Sequence, residues 1–534
     1  MRQISGRIRI MKNDLKIVLF MCNWYPHVAF QTLQDTLAPI PREIRMIRIP
    51  CSGRITKSLL FKAFETGADG VALLGCRPGT CRYGIGTGVA QRNVEDTRGI
   101  LRLLGLGEER LGFASFYPDQ PSELLDFLTT FRDKILELGK SPVEHHSGTE
   151  QTSQRSVSSL TAAYNIYTCQ DCGKCSSACP VSLSGKEFSP REIANAAVAG
   201  DIESSCISRD IWSCLTCGLC YDRCPSAVNF PDFIKEMRNA APRKGRFEAH
   251  EGFFHSLMRA MTSPNLPVEH WKWLPSEIQT DQNSKILFFG GCAPYFDTFF
   301  KNHLGIATND ILVDALRLMN FFDIYPAILQ NERCCGHDLL WSGDRDNFVK
   351  LAKLNVKLIS EMGIEELVTA CPECYRAFSH DYPENGIETG FKVTHIFQLA
   401  ETEITKGAIG FSKLNRNITF QDPCRLSRSE AGCELPRNLI KRLNVHAFKE
   451  MRDWGASSLC CGNCAWTGCD SYTKAIQVNR LRQAKETGSN LLVTACPKCQ
   501  IHLRCAMEDP FLEHEIRIEM MDLTSLLART VQWE

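Results

Sequence analysis

Apolar residues over the first 135 positions come in short runs separated by amphipathic stretches. The runs 16–22, 44–49 and 70–74 read as strands, while 30–37, 59–66 and 89–104 carry helical spacing. Strands alternating with helices imply a parallel sheet with helices on its faces. The pattern stops over 140–159, where Ser, Thr, Gln and His dominate as in a solvated linker. Further on, 190–199 has helical character with Pro190 at its start. A Pro- and Trp-containing stretch follows over 240–284. Strand–helix alternation returns at 285 and is then repeated. Strands at 285–289 and 417–420 each end at a cysteine, and long helices are expected at 346–361 and 472–487. In both copies a strand Leu-Val-Thr-Ala leads into Cys-Pro-x-Cys. Corresponding cysteines lie 132, 126 and 125 residues apart, so this is a duplicated α/β unit of about 125 residues. The expected fold class is α/β multidomain, with an N-terminal parallel α/β domain, a central α-helical domain and a C-terminal duplicated α/β domain.

Composition changes this picture in one respect. The 534 residues suffice for about three to four domains, and 44% hydrophobic with 23% charged residues is an ordinary globular balance. The 61 basic and 61 acidic side chains cancel, which argues against a general nucleic-acid or acidic-membrane binder. The anomaly is 27 cysteines. Arg2, Arg7, Arg9 and Lys12 are basic, but the apolar run after them is too short for an export signal. No stretch approaches the ~18 to 20 apolar residues of a membrane helix. A cytoplasmic chain is therefore expected, with its thiols on metal rather than in disulfides.

The cysteines fall into groups of four, nine and fourteen. Three of the first group, Cys22, Cys51 and Cys76, are expected just past strand ends, with Cys81 in the same loop as Cys76. Carboxyl ends of parallel strands share one rim, so these distant thiols should meet there. In the second group, Cys169, Cys172, Cys175 and Cys179-Pro180 have the spacing CxxCxxCxxxCP. Cys214, Cys217, Cys220 and Cys224-Pro225 repeat it 45 residues later. This spacing wraps three thiolates on one [4Fe-4S] cube and sends the fourth to its neighbour. One cube should hold Cys169, Cys172, Cys175 and Cys224, the other Cys214, Cys217, Cys220 and Cys179. Paired zinc sites are the alternative, although zinc usually takes separated CxxC pairs. In the third group each copy offers five thiols. The first set is Cys292, Cys334, Cys335, Cys371 and Cys374; the second is Cys424, Cys460, Cys461, Cys496 and Cys499. Adjacent cysteines in extended backbone point apart, so both serve one centre only if it is large or bent around them. A zinc site built on CxxC is again the alternative. Cys206, Cys433, Cys464, Cys469 and Cys505 lie outside these motifs and read as structural thiols, although Cys464 and Cys469 are close enough to line a cleft.

On these residues the chain resembles known families. The segment from Cys214 to Pro225 resembles the C-type subunit of heterodisulfide reductase, a dicluster ferredoxin. The two Cys-Cys-Gly copies resemble the B-type subunit of the same enzyme. That resemblance implies two noncubane [4Fe-4S] clusters that split a mixed disulfide. It places the catalytic contact at Cys335, Cys374, Cys461 and Cys499. His337 and Lys498 would donate protons or bind a substrate carboxylate, or else are packing or surface groups. Residues 12–138, with Cys22-Asn-Trp at the first motif, resemble the delta subunit of methyl-viologen-reducing hydrogenase, which implies one [2Fe-2S] cluster. That family's usual cysteine two residues after the Asn is Tyr25 here. Arg54, Arg77 and Arg82 would offset that cluster's charge, or are solvated arginines. Gly84, Gly86 and Gly88 follow the cysteine loop and lack the context of a phosphate loop.

The expected organisation is a delta-like domain over 12–138, a linker over 139–160 and a dicluster ferredoxin over 161–245. A helical or irregular connector over 246–284 and two Cys-Cys-Gly domains over 285–412 and 413–534 follow. The resemblance implies a fused iron–sulfur component of a disulfide-reducing complex in which flavin-based electron bifurcation is open. FAD would sit only on a flavoprotein partner resembling the A-type subunit of heterodisulfide reductase. A hydrogenase, formate dehydrogenase or other dehydrogenase would donate electrons. The substrate would be a small disulfide. Two other readings stay open: an electron-transfer accessory without disulfide chemistry, and a zinc or interaction scaffold.

Overall fold

A computed structural model describes residues 15–144, 157–200, 211–241, 248–407, 409–429 and 432–533. Cys206 and the basic N-terminal residues lie outside them. The chain divides into two compact units. One is built from the first 147 residues with 265–267, the other from 148–264 with 268–534.

In the first unit four parallel strands lie in the order Ile44–Ile49, Ile17–Cys22, Gly70–Cys76, Leu111–Phe116. Gly70–Cys76 is buried along its whole length, because an inner parallel strand is covered on both faces. Helix Tyr25–Asp35 starts earlier than the periodicity suggests, since Pro26 suits a first helical turn. The fourth strand and helix Pro121–Leu138 after it were not read from the sequence. Leu124, Leu128 and Ile135 of that helix join Ile17, Leu19 and Leu74 in the core. Cys22 and Cys76 are the last residues of their strands rather than lying beyond them.

The first described element of the second unit is helix Val157–Ala163, which starts in the span 139–160 expected as linker and crosses its end. Short helices follow, among them Lys174–Ala178, Pro190–Val198 and Leu219–Asp222. Helix Phe230–Ala240 starts where the Asn229 side chain accepts from the Asp232 backbone N–H. Phe233 and Ile234 of this helix share one core with Leu481, Leu492 and Leu503 of the last domain. The central and last regions are thus one packed body.

Each half of the duplication has a parallel sheet. The first runs Ile286–Phe289, Glu366–Thr369, Lys392–His395. The second runs Val445–Phe448, Leu414–Phe420, Leu491–Thr494, Glu519–Asp522. The extra edge strand of the second half is reduced in the first to one bridge, Leu287 to Ala327. The halves share a core in which Leu312 and Leu316 join Ile418, Leu491 and Leu527. Ile409–Phe411 pairs with the far end of the chain, Val531–Trp533. Helix Phe253–Ala260 in the connector packs Phe254 flat on Trp466, with ring centroids 4.3 Å apart. No helix among the described residues is long and apolar enough to cross a membrane.

Candidate metal centres

Parallel register brings the ends of Ile17–Cys22 and Gly70–Cys76 together, and Cys22 Sγ lies 3.8 Å from Cys76 Sγ. Cys51 heads the turn Ser52–Arg54. A Cβ added to Gly86 would lie 2.6 Å from Cys51 Sγ and 2.9 Å from Cys81 Sγ, so these two thiols converge on the start of helix Gly86–Leu103. That approach explains Gly86 better than a phosphate loop does. The hydrogen bond with Cys76 draws the Cys22 thiol down to about 6, and the same bond with burial pushes Cys76 far up. Burial also raises Cys51. Four thiols at one rim fit the ligand number of a [2Fe-2S] centre. Arg54 and Arg82 are exposed; Arg82 lies 4.2 Å over the Trp24 ring and Arg77 lies 5.8 Å from that of Tyr117.

The dicluster cysteines line two adjacent cavities. Cys169, Cys172, Cys175, Cys220 and Cys224 line one. Cys179, Cys214, Cys217 and Cys220 line the other. The fourth cysteine of each run therefore faces the other run's first three. Burial pushes Cys214 up to about 12 and Cys217 to about 11, so these thiols need a cation to ionise. The donor set fits two four-thiolate centres.

In the duplicated domain all five cysteines of the first set line one cavity. Cys292 Sγ lies 2.6 Å from Cys334 Sγ. In the second set the free thiols are hydrogen-bonded, Cys424 to Cys460, Cys460 to Cys461, and Cys499 to both Cys461 and Cys496. The glycine after each Cys-Cys pair, Gly336 or Gly462, takes a left-handed φ of 81° or 93°, which turns the chain so that both thiols face one centre. The halves differ electrostatically. Hydrogen bonds from Cys460 and Cys499, with His502 Nδ1 3.4 Å away, hold Cys461 well below the ordinary thiol range. Its counterpart Cys335 is pushed well above it, by its bond with Cys334 and by burial. Five thiols per centre exceed what a cube or a tetrahedral zinc takes.

Residues 17–139 match the methyl-viologen-reducing hydrogenase delta-subunit family. The chain is 35% identical over 133 residues to the iron–sulfur D-type subunit of the F420-non-reducing hydrogenase vhc of Methanococcus voltae, covering 92% of that protein and 25% of this chain. The chain belongs to the delta-subunit family through this domain. Fused to the delta-subunit domain, residues 165–228 match the 4Fe-4S dicluster domain, and 286–379 and 418–504 match the cysteine-rich domain twice. The D-type subunit of the dihydromethanophenazine:CoB–CoM heterodisulfide reductase of Methanosarcina acetivorans is 27% identical over 315 residues, 57% of this chain and 74% of that protein. The B-type subunit of the fumarate reductase (CoM/CoB) of Methanothermobacter marburgensis is 24% identical over 379 residues, 67% of this chain and 71% of that protein. For a second heterodisulfide reductase relative the chain spans 62% of its length, and for a further iron–sulfur protein about half.

Beyond the delta-subunit domain, tertiary structure adds Glu373 and Arg425 to the His337 and Lys498 expected from the sequence. Lys498, from the second cysteine-rich half, enters the cavity of the first half. Its Nζ lies 2.5 Å from Asp338 Oδ1 and 2.6 Å from Glu373 Oε2, and these carboxylates keep it charged against burial. Arg425, next to Cys424, donates from Nε to His337 Nε2 at 3.1 Å. His337 Nε2 is therefore the acceptor, and the ring proton sits on Nδ1, 3.1 Å from Asp338 Oδ1. Glu373 holds the place in the first Cys-Pro-x-Cys segment that Lys498 holds in the second, and aligning the copies by charge would have found it. Arg425 has no such signal. Of the thiols outside the motifs, Cys464 is buried and Cys469 exposed. Cys433 lies 3.7 Å from a Glu434 oxygen, and Cys505 Sγ lies 3.6 Å from Lys474 Nζ.

Proposed function

We propose that this chain is the iron–sulfur electron-transfer and disulfide-reducing component of a heterodisulfide reductase-like complex. The observation that carries this reading is the cavity where the five cysteines of the first half meet Pro497 and Lys498 of the second. Cys22, Cys51, Cys76 and Cys81 would hold a [2Fe-2S] cluster. Cys169, Cys172, Cys175 and Cys224 would hold one cubane, and Cys214, Cys217, Cys220 and Cys179 the other. Each five-cysteine set would hold a noncubane cluster. The domains run over 12–138, 161–245, 285–412 and 413–534. When bound, these clusters supply one-electron steps in series. Cleaving a mixed disulfide to two thiols takes two electrons and two protons. Cys335, Cys374, Cys461 and Cys499 border the reaction space. Lys498, held charged by Asp338 and Glu373, stabilises a thiolate released beside it. His337 has both nitrogens committed and orients Asp338. A flavin-bearing partner would carry FAD and any bifurcation, and a hydrogenase or other dehydrogenase would supply electrons. The names of the heterodisulfide reductase and fumarate reductase relatives support this class of complex.

The test is anaerobic turnover of a mixed thiol disulfide with reduced viologen dye and the flavin partner. Turnover should be lost in Cys461→Ser and Cys499→Ser while the ferredoxin EPR signals persist. Turnover that survives in both would overturn the site. Anaerobic protein should be brown with about 18 irons per chain; a colourless zinc protein would overturn the whole reading. One observation favours the electron-transfer accessory instead: Lys498 is 5% exposed and already paired with both Asp338 and Glu373. Full iron content without disulfide turnover would decide for it.

A further inference from the structure

Arg425, next to Cys424, bonds to residues that flank two further candidate centres. Its Nη1 donates to the Thr216 carbonyl at 2.9 Å and its Nη2 to Thr216 Oγ1 at 2.9 Å. Thr216 lies between Cys214 and Cys217 of the second dicluster run. Nε reaches His337 beside the first Cys-Cys-Gly, and Nη2 lies 3.2 Å from Cys464 Sγ. Thr216 Oγ1 is itself 3.1 Å from that sulfur. The guanidinium lies 3.7 Å over the Trp341 ring, and the residue is 7% exposed. One turn on, Arg428 pairs with Asp222 at 2.6 Å and favours the ionised Cys217 thiol, against burial and Cys424. The second dicluster loop is thus docked on the second half by two arginines.

The duplication makes this docking one-sided. Ala293 follows Cys292 where Arg425 follows Cys424. Asp338 stands in the first half where Cys464 stands in the second. The second centre therefore has a buried fixed cation that the first lacks at that position.

We propose that Arg425 is a positioning residue: it fixes the Thr216 loop against the second five-cysteine centre and compensates the negative charge that centre gains on reduction. This rests on the reading that both five-cysteine sets hold iron–sulfur groups. Five thiolates on a buried group concentrate negative charge, and an adjacent cation in a poorly screened interior favours the reduced form. A planar fork is needed to hold two oxygens of Thr216 and one ring nitrogen together, which lysine does not offer.

The experiment is EPR-monitored potentiometry of the whole chain, with iron analysis of each variant. The second centre's signal is identified by its loss in Cys461→Ser. In Arg425→Gln with full iron, the reduced-to-oxidised ratio of that signal at fixed potential should fall about tenfold, equal to about 59 mV for one electron. Arg425→Lys keeps the charge, so the ratio should stay within about twofold of wild type while electron transfer from the dicluster centres slows. An unchanged ratio in Arg425→Gln with full iron overturns the proposal. If Arg425→Gln does not assemble, Arg425→Lys decides: a wild-type ratio supports charge compensation, and a tenfold fall overturns it. Wild-type protein lacking both centres would instead show that the cluster assignment had failed.

Discussion

Lys498 Nζ lies 2.6 Å from Glu373 Oε2, and the two residues occupy the same place in the two halves of the duplication. Each is the variable residue of a Cys-Pro-x-Cys segment at the start of the helix that follows strand Glu366–Thr369 or Leu491–Thr494. Opposite charges at equivalent positions let the halves close on one another across the first cavity.

Removing the cation should therefore cost more than a surface ion pair. Lys498→Met leaves Asp338 and Glu373 facing each other in a buried space, with a loss of about 3–5 kcal/mol. Lys498→Met with Glu373→Gln should recover part of it, with a coupling of about 0.5–3 kcal/mol in a double-mutant cycle. Denaturant unfolding under anaerobic conditions reads both; additive losses would show that the pair is not coupled.

The N-terminal rim gives a sharper substitution. Gly86→Ala would put a Cβ 2.6 Å from Cys51 Sγ, whereas a Cβ at Gly88 meets nothing within 4 Å. Gly86→Ala should lose about two irons per chain, the [2Fe-2S] share. Gly88→Ala, in the same helix, should keep them. Iron analysis and the visible spectrum check this, and equal iron in both variants would mean that the thiols at Gly86 hold no cluster.

Crossed ligation predicts a crossed phenotype. Cys179→Ser should remove the centre built on Cys214, Cys217 and Cys220 and spare the one built on its own run. Cys224→Ser should do the reverse. EPR of the reduced protein, with Cys172→Ser and Cys217→Ser as references, assigns the lost signal. A loss within the same run would mean that the runs do not exchange their fourth ligand.

Acid sensitivity should come in part from His395. Its ring Nδ1 accepts the Phe397 N–H at 3.3 Å and caps helix Ile396–Lys406. Burial lowers the ring to about 3. The unfolded ring binds protons from about pH 6.5 downward while the folded ring resists, so this stability is complete above about 6.5 and is lost as pH falls toward 3. His395→Asn keeps a cap without the titration. Its unfolding midpoint should fall less between pH 6.5 and 4.5 than that of wild type; parallel curves would remove His395 from the account.

Much of this was legible in one dimension. The helix expected over 346–361 is Arg345–Glu361, which carries helical periodicity, and the strand over 44–49 is Ile44–Ile49, a short run rich in Ile. The strand Leu111–Phe116 was missed: Gly112, Ala114 and Ser115 leave it without a long apolar run, and its place is set by pairing with Gly70–Cys76. The edge strand Val445–Phe448 escaped for a similar reason, since only partner strands distinguish it from loop.

Cysteine spacing by itself grouped the central thiols into two runs of four, since short loops present ligands at fixed residue counts along the backbone. The duplicated strand–helix order followed from periodicity, which is equally local. Only the tertiary structure decided what surrounds the thiols. Lys498 reaches Asp338 across 160 residues, and Arg425 reaches Thr216 across 209. Such pairs leave no periodic trace, because they arise when separate surfaces are desolvated together and each buried charge must find its partner.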